Sequence, residues 1–167
     1  MKKNNRIRMM SHSALIAALY VVLTYLSSII GLSSGVIQCR LSEALCVLPV
    51  FTPYAIPGLF IGCIVSNLLF SQPVMILDVI FGSLATLLGA VGTYYISKHK
   101  MFPCLYTLPT IVANTLIIPF VLKYSYGFNG SIAYFMATVG LGEIISCGVL
   151  GTILYYSLYK HSKLIFG

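Results

Sequence analysis

Gln38-Cys39-Arg40-Leu41-Ser42-Glu43-Ala44 puts an arginine and a glutamate three residues apart at the mouth of an apolar segment. The rest of the chain is nearly pure hydrocarbon, so the placement of its few charges carries the information. Its carboxylates are Glu43, Asp78 and Glu143, each within or at the edge of a hydrophobic stretch. An ionisable group at membrane depth is costly and marks a functional site by default. Arg40 and Glu43 read in two ways: as an i, i+3 ion pair that locks a helix start, or as two walls of a ligand pocket.

The composition sets the class. Of 167 residues, 59% are hydrophobic and 8% charged, with mean hydropathy +0.97, against roughly 25% charged in soluble domains. This is the composition of an all-α integral membrane protein, read as a single domain over residues 1–167. The net charge of +7 does not form a patch interleaved with aromatics; the basic residues cap hydrophobic segments, which argues for topology rather than nucleic acid. Five cysteines show no CxxC spacing, so they read as small apolar fillers rather than a metal or redox site.

Punctuation divides the chain into six apolar segments, expected at about 12–30, 38–51, 55–70, 76–97, 103–124 and 132–159. Gly31-Leu-Ser-Ser-Gly35, Pro49, Pro53 and Pro57, Ser71-Gln72-Pro73, Lys98-His99-Lys100 and Gly127-Phe-Asn-Gly130 mark the breaks. The second segment reaches only about 20 Å, short of a roughly 30 Å hydrocarbon core. With six helices, Lys2, Lys3, Arg6, Arg8, Lys98, Lys100, Lys160 and Lys163 share the side of the termini, against Arg40 and Lys123 opposite. The positive-inside rule then makes both termini cytoplasmic, in a multi-pass protein of the cell membrane.

In that orientation Arg40, Glu43, Asn67, Gln72, Asp78, Asn114 and Glu143 all fall in the outer halves of their helices. One pocket open to the outside accounts for this better than scattered interhelical bonds, although Asn67 and Asn114 also suit that structural role. Ala14-xxx-Ala18, Gly58-xxx-Gly62 and the Asp78, Gly82, Ala85, Gly89 face permit close helix packing, and Ala14 and Ala18 lie where a partner could dock. No P-loop is present, and His12, His99 and His161 sit at the other ends of the helices from the acids. Phosphate-cradling, Ser-His catalysis and His-carboxylate metal binding are therefore not expected. The reading is a non-enzyme without a cofactor. Three acids against one arginine leave a formal charge of −2, suited to a polar, amine-bearing solute.

Gln38-Cys39-Arg40-Leu41-Ser42-Glu43-Ala44-Leu45, Leu48-Pro49, Ala55-Ile56-Pro57-Gly58-Leu59-Phe60-Ile61-Gly62-Cys63, Asp78-Val79-Ile80-Phe81-Gly82-Ser83-Leu84-Ala85-Thr86-Leu87 and Gly140-Leu141-Gly142-Glu143 together resemble the queuosine-precursor transporter family, QueT. The resemblance runs over about residues 12 to 160. It departs from the family pattern at Cys39 and Leu41, where an aromatic and an isoleucine are usual, and over 70–76, where a glycine-rich spacer is absent.

The resemblance implies a bacterial six-helix substrate-binding (S) component of an energy-coupling factor (ECF) transporter. Such a component takes queuine, or its 7-aminomethyl or 7-cyano precursor, from outside and docks on a coupling transmembrane (T) subunit with two ATPases. Ala14 and Ala18 would map to the surface that meets the coupling subunit. Glu143 or Glu43 would take the purine edge, with Asp78 nearer the amine. Two other readings stand beside it, a stand-alone proton-coupled carrier of a small amine-bearing solute and a non-transporting assembly subunit.

Overall fold

The computed structural model describes residues 2–32, 39–70, 76–99, 101–125, 127 and 129–162, with side chains from residue 6 onward. Gln38 and Gln72 lie outside the described residues. Among the described residues all regular structure is helical: helix 1 (Lys2–Ile29), helix 2 (Leu41–Val50), helix 3 (Ala55–Phe70), helix 4 (Ile76–Ser97), helix 5 (Pro103–Tyr124) and helix 6 (Ile132–Tyr159). Helices 1, 4, 5 and 6 are long and apolar enough to cross a membrane, whereas helix 2 has 10 residues and helix 3 has 16.

Helix 1 begins at Lys2, ten residues earlier than the expected start near residue 12, because nothing in its polar lead breaks a helix. It ends as the sequence requires. Gly31 adopts φ 76°, its N–H reaches the Ser28 carbonyl at 3.0 Å, and Leu32 N–H reaches Ser27 at 2.9 Å, the two reverse bonds of a glycine-terminated helix.

Helix 2 differs from the expected α-helix over 38–51. It is a 3₁₀ helix, with Glu43 N–H bonded to Arg40 and Phe51 N–H to Leu48, and it contains Pro49. Ser42 through Pro49 are buried without exception. Helix 1 packs on helix 3, helix 3 on helix 4, helix 4 on helix 5 and helix 5 on helix 6, and helix 2 touches all five of the others. The short segment is thus the axis of the bundle. Irregular backbone at membrane depth is tolerated only where protein encloses it.

Hydroxyls on helix 1 tie this axis in place. Ser27 Oγ accepts the Leu41 N–H at 2.9 Å, so this donor at the start of helix 2, which lacks an intrahelical partner, is satisfied from the side, and Thr24 Oγ1 donates to Ser42 Oγ at 2.9 Å. Helix 3 lies close against helix 1 through Gly58 and Gly62. A Cβ on Gly62 would sit 2.8 Å from Tyr20 Cβ and 3.1 Å from Ala17 Cα, and one on Gly58 would sit 2.7 Å from the Ser13 carbonyl.

Helix 6 starts with Ser131, whose hydroxyl caps the Tyr134 N–H at 3.2 Å. Its middle, Ile144–Leu150, widens to π geometry directly after Glu143. Such a bulge re-aims the side chains around it and is frequent at functional sites.

Candidate functional site

The polar residues of five helices meet in one buried cluster. Helix 2 contributes Glu43, and Arg40 lies just before its start; Asn67 comes from the end of helix 3, Asp78 from the first turn of helix 4, Asn114 from the middle of helix 5, and Glu143 from helix 6. Exposure is 2% for Glu43, 1% for Asn67, and 3% for each of Asp78 and Asn114.

One half of the cluster is built on Arg40. Its Nη1 donates to Asn67 Oδ1 at 2.8 Å, and Nη2 lies 3.8 Å from Asp78 Oδ2. Asn67 in turn donates through Nδ2 to the Asp78 carbonyl at 3.2 Å. Of the two readings of Arg40 with Glu43, the i, i+3 ion pair does not form: the arginine reaches across to helices 3 and 4 instead.

The other half is built on Asn114. Its Nδ2 donates to Glu143 Oε1 at 2.9 Å and lies 3.5 Å from Glu43 Oε2. Cys46 Sγ lies 3.2 Å from the same Glu43 oxygen, and the Tyr20 phenol donates to Glu43 Oε1 at 2.5 Å. Two atoms at the cluster are buried without a hydrogen-bond partner, Arg40 Nε and Glu143 Oε2.

A cavity of about 20 Å³ lies between the halves, walled by Arg40, Glu43, Asn114 and Glu143 and closed by Cys63, Gly82, Thr86, Ile118 and Val139. That is room for about one water, whereas pockets for small molecules run from about 300 Å³ upward. Any solute much larger than water requires the surrounding helices to part.

The structure therefore brings together Arg40, Glu43, Asn67, Asp78, Asn114 and Glu143. Ala14 and Ala18 are not part of the cluster; both lie exposed on helix 1, on the face away from the buried Ile16 and Tyr20. Among the described residues no group of His, Cys, Asp and Glu is arranged to hold a metal ion.

Several members of the site were not anticipated. Tyr20 is wholly buried, and the signal for it was the run Tyr20, Thr24, Ser27, which places three hydroxyls at i, i+4, i+7 on one helix face. Cys46 and Cys63 are more than fillers: Cys46 contacts Glu43, and Cys63 Sγ lies 3.4 Å from Thr86 Oγ1 and 3.6 Å from Asn67 Nδ2. Gly82 leaves the space that Asn67 occupies, since a Cβ there would sit 2.9 Å from Asn67 Nδ2.

Several apolar helices of membrane-crossing length, enclosing one buried and strongly polar cluster, define a multi-pass membrane protein with an internal polar site. A family model described as "QueT transporter" matches residues 10–160, and the chain belongs to the QueT transporter family. It is also 40% identical over 88 residues to the "Queuosine precursor transporter QueT" of Lactococcus lactis subsp. cremoris (strain MG1363), a match covering 52% of this chain and 50% of the relative. The chain thus matches about half the length of that curated relative. No solved structure matches it significantly.

Proposed function

We propose that this chain is the substrate-binding component of an ATP-driven ECF importer, taking a queuosine precursor or queuine, a 7-deazaguanine, from outside the cell. The observation that carries the reading is the convergence of Arg40, Glu43, Asn67, Asp78, Asn114 and Glu143 on one buried cluster in a chain of the QueT family. The name of the Lactococcus relative supports the solute class. The chemistry agrees with it. A deazaguanine offers ring and amino N–H donors to carboxylates and a carbonyl oxygen to a guanidinium, and a 7-aminomethyl ammonium suits a cluster of formal charge −2.

The placement of the termini in the cytoplasm is part of the same reading. Arg40, counted on the opposite side by sequence, turns into the cluster with its side chain 15% exposed. That leaves Lys123 as the basic residue there, which sharpens the asymmetry favouring cytoplasmic termini. The exposed pair Ala14 and Ala18 supports docking of a coupling T subunit, itself bound to two ATPases. On this reading the protein catalyses no covalent chemistry.

The test is uptake of labelled queuine into proteoliposomes containing the chain alone, or the chain with a coupling subunit and its ATPases. Uptake that requires the partners and ATP is the expected result. Uptake by the chain alone, driven by a pH gradient, would establish a proton-coupled carrier instead.

A further inference from the structure

The carboxylates of the cluster are not equally occupied. Glu43 is engaged at both oxygens, Oε1 by Tyr20 and Oε2 by Cys46 and Asn114. Asp78 lies against Arg40. Glu143 is only 7% exposed, and while its Oε1 accepts from Asn114, its Oε2 has no partner. Across the site, Arg40 commits Nη1 to Asn67 and turns Nη2 towards Asp78, while its Nε–H has no partner. Ser66, Thr110 and Thr115 also bury an unpartnered hydroxyl, but none of them lines the cavity; Arg40 and Glu143 both do. Buried polar atoms are seldom left unmatched. One orphan acceptor and one orphan donor at a single cavity call for a partner that both donates and accepts, a role one water can fill in the closed site and an N–H adjacent to a C=O can fill in a bound base.

Resting on the reading of this cluster as a deazaguanine site, we infer that Glu143 and Arg40 form the specificity pair that reads the lactam edge of the base. Glu143 Oε2 accepts the ring N–H, and Arg40 Nε–H donates to the neighbouring carbonyl oxygen. Glu43, already held by Tyr20 and Asn114, is a positioning residue: it sets Asn114, and through it Glu143, rather than reading the edge. The aminomethyl arm of a precursor is therefore not what Glu143 recognises. A 2,6-diamino analogue replaces the ring N–H by a bare nitrogen and the carbonyl by an amino group, so at this pair it sets lone pair against lone pair and donor against donor.

The test is titration of the detergent-purified full chain with 7-aminomethyl-7-deazaguanine and with its 2,6-diamino counterpart, in wild type, Glu143→Gln, Arg40→Lys and Tyr20→Phe. Wild type should prefer the lactam base by about 10⁴-fold, the scale on which a site built for a hydrogen bond rejects its mismatch. Glu143→Gln turns an amide donor into the cavity, and Arg40→Lys keeps the charge while removing Nε; each should shrink the preference to within about threefold. Tyr20→Phe should weaken both bases by the same factor and leave their ratio intact.

Equal affinity of wild type for the two bases would overturn the inference, and that measurement stands even if a variant fails to fold. An intact preference in both Glu143→Gln and Arg40→Lys would also overturn it, as would a changed ratio in Tyr20→Phe. If neither base binds wild type, the deazaguanine reading itself fails, and the inference falls with it.

Discussion

Tyr20 and Glu43, 23 positions apart, meet in a hydrogen bond of 2.5 Å in which the phenol of helix 1 donates to Oε1 of the carboxylate on helix 2. Both residues are buried, at 0% and 2% exposure. Removing the hydroxyl in Tyr20→Phe leaves the ring packed but strips a donor from a buried carboxylate. An unmatched buried group costs about 1–3 kcal/mol, more than the roughly 0.6 kcal/mol average for interhelical bonds in membranes, because water cannot easily replace the donor here. Thermal unfolding in detergent should show the variant less stable than wild type, and an unchanged midpoint would mean that Glu43 finds another partner.

Arg40 and Asp78 should behave as a unit. Replacing Arg40 by Met leaves Asp78 buried without its guanidinium and removes the Nη1 bond to Asn67. Breaking a largely buried pair from one side typically costs about 3 kcal/mol or more. The double variant Arg40→Met with Asp78→Asn should recover part of that loss. A double-variant cycle in chemical or thermal unfolding measures the coupling, and simple additivity of the two single costs would show that the pair is not coupled.

The contact between helices 1 and 3 depends on Gly62. A methyl there would lie 2.8 Å from Tyr20 Cβ and 3.1 Å from the Ala17 backbone, so Gly62→Ala must push the helices apart, at an expected cost of about 1–3 kcal/mol. Gly148 is the control, since its nearest neighbour, at 3.5 Å, is the tip of Ile111. Gly148→Ala should leave the unfolding midpoint near wild type. Equal effects of the two substitutions would contradict this packing.

Ala14 and Ala18 offer a variant that separates binding from transport. Both are exposed, and bulky residues there disturb no interior contact. Ala14→Trp and Ala18→Trp should therefore retain wild-type ligand affinity and unfolding midpoint but lose uptake in the reconstituted assembly. Loss of ligand affinity would place these positions in the fold rather than at a partner surface.

The divisions of the chain were legible wherever a breaker was present. Pro53, Lys98-His99-Lys100 and Gly127 to Gly130 punctuate helices 3 to 6, whose observed bounds are those their flanks dictate, while Pro57 is accommodated in the first turn of helix 3. The start of helix 1 was not, because lysine, asparagine and arginine neither break a helix nor join its apolar stripe. Nor was the 3₁₀ character of helix 2: a segment buried on every side shows no amphipathic period from which to read its winding. The π turn after Glu143 left no signal in sequence.

The charged residues were found because charge is rare in this chain and costly in its surroundings. Arg40, Asp78 and Glu143 stood out against hydrocarbon, yet their partners did not follow from spacing. Arg40 and Glu43 looked paired along one helix and are instead divided between two networks. Tyr20 was invisible for the opposite reason, since an aromatic on an apolar helix looks like any residue facing lipid until its hydroxyl is seen to end on a carboxylate.

The central position of helix 2 sets the order in which this protein can be assembled during synthesis. The ribosome releases Arg40 and Glu43 early. Asn114, which bridges Glu43 to Glu143, follows 71 positions after Glu43, and Glu143 comes a further 29 positions on. Until then Glu43 has Tyr20 on helix 1, and Arg40 has Asn67 and Asp78 on helices 3 and 4, while the wall made by helices 5 and 6 is missing. Glu43 therefore gains its full set of partners only once helix 5 is in place, and the cluster closes only with Glu143 on helix 6, so the axis of the bundle is the last part to be completed.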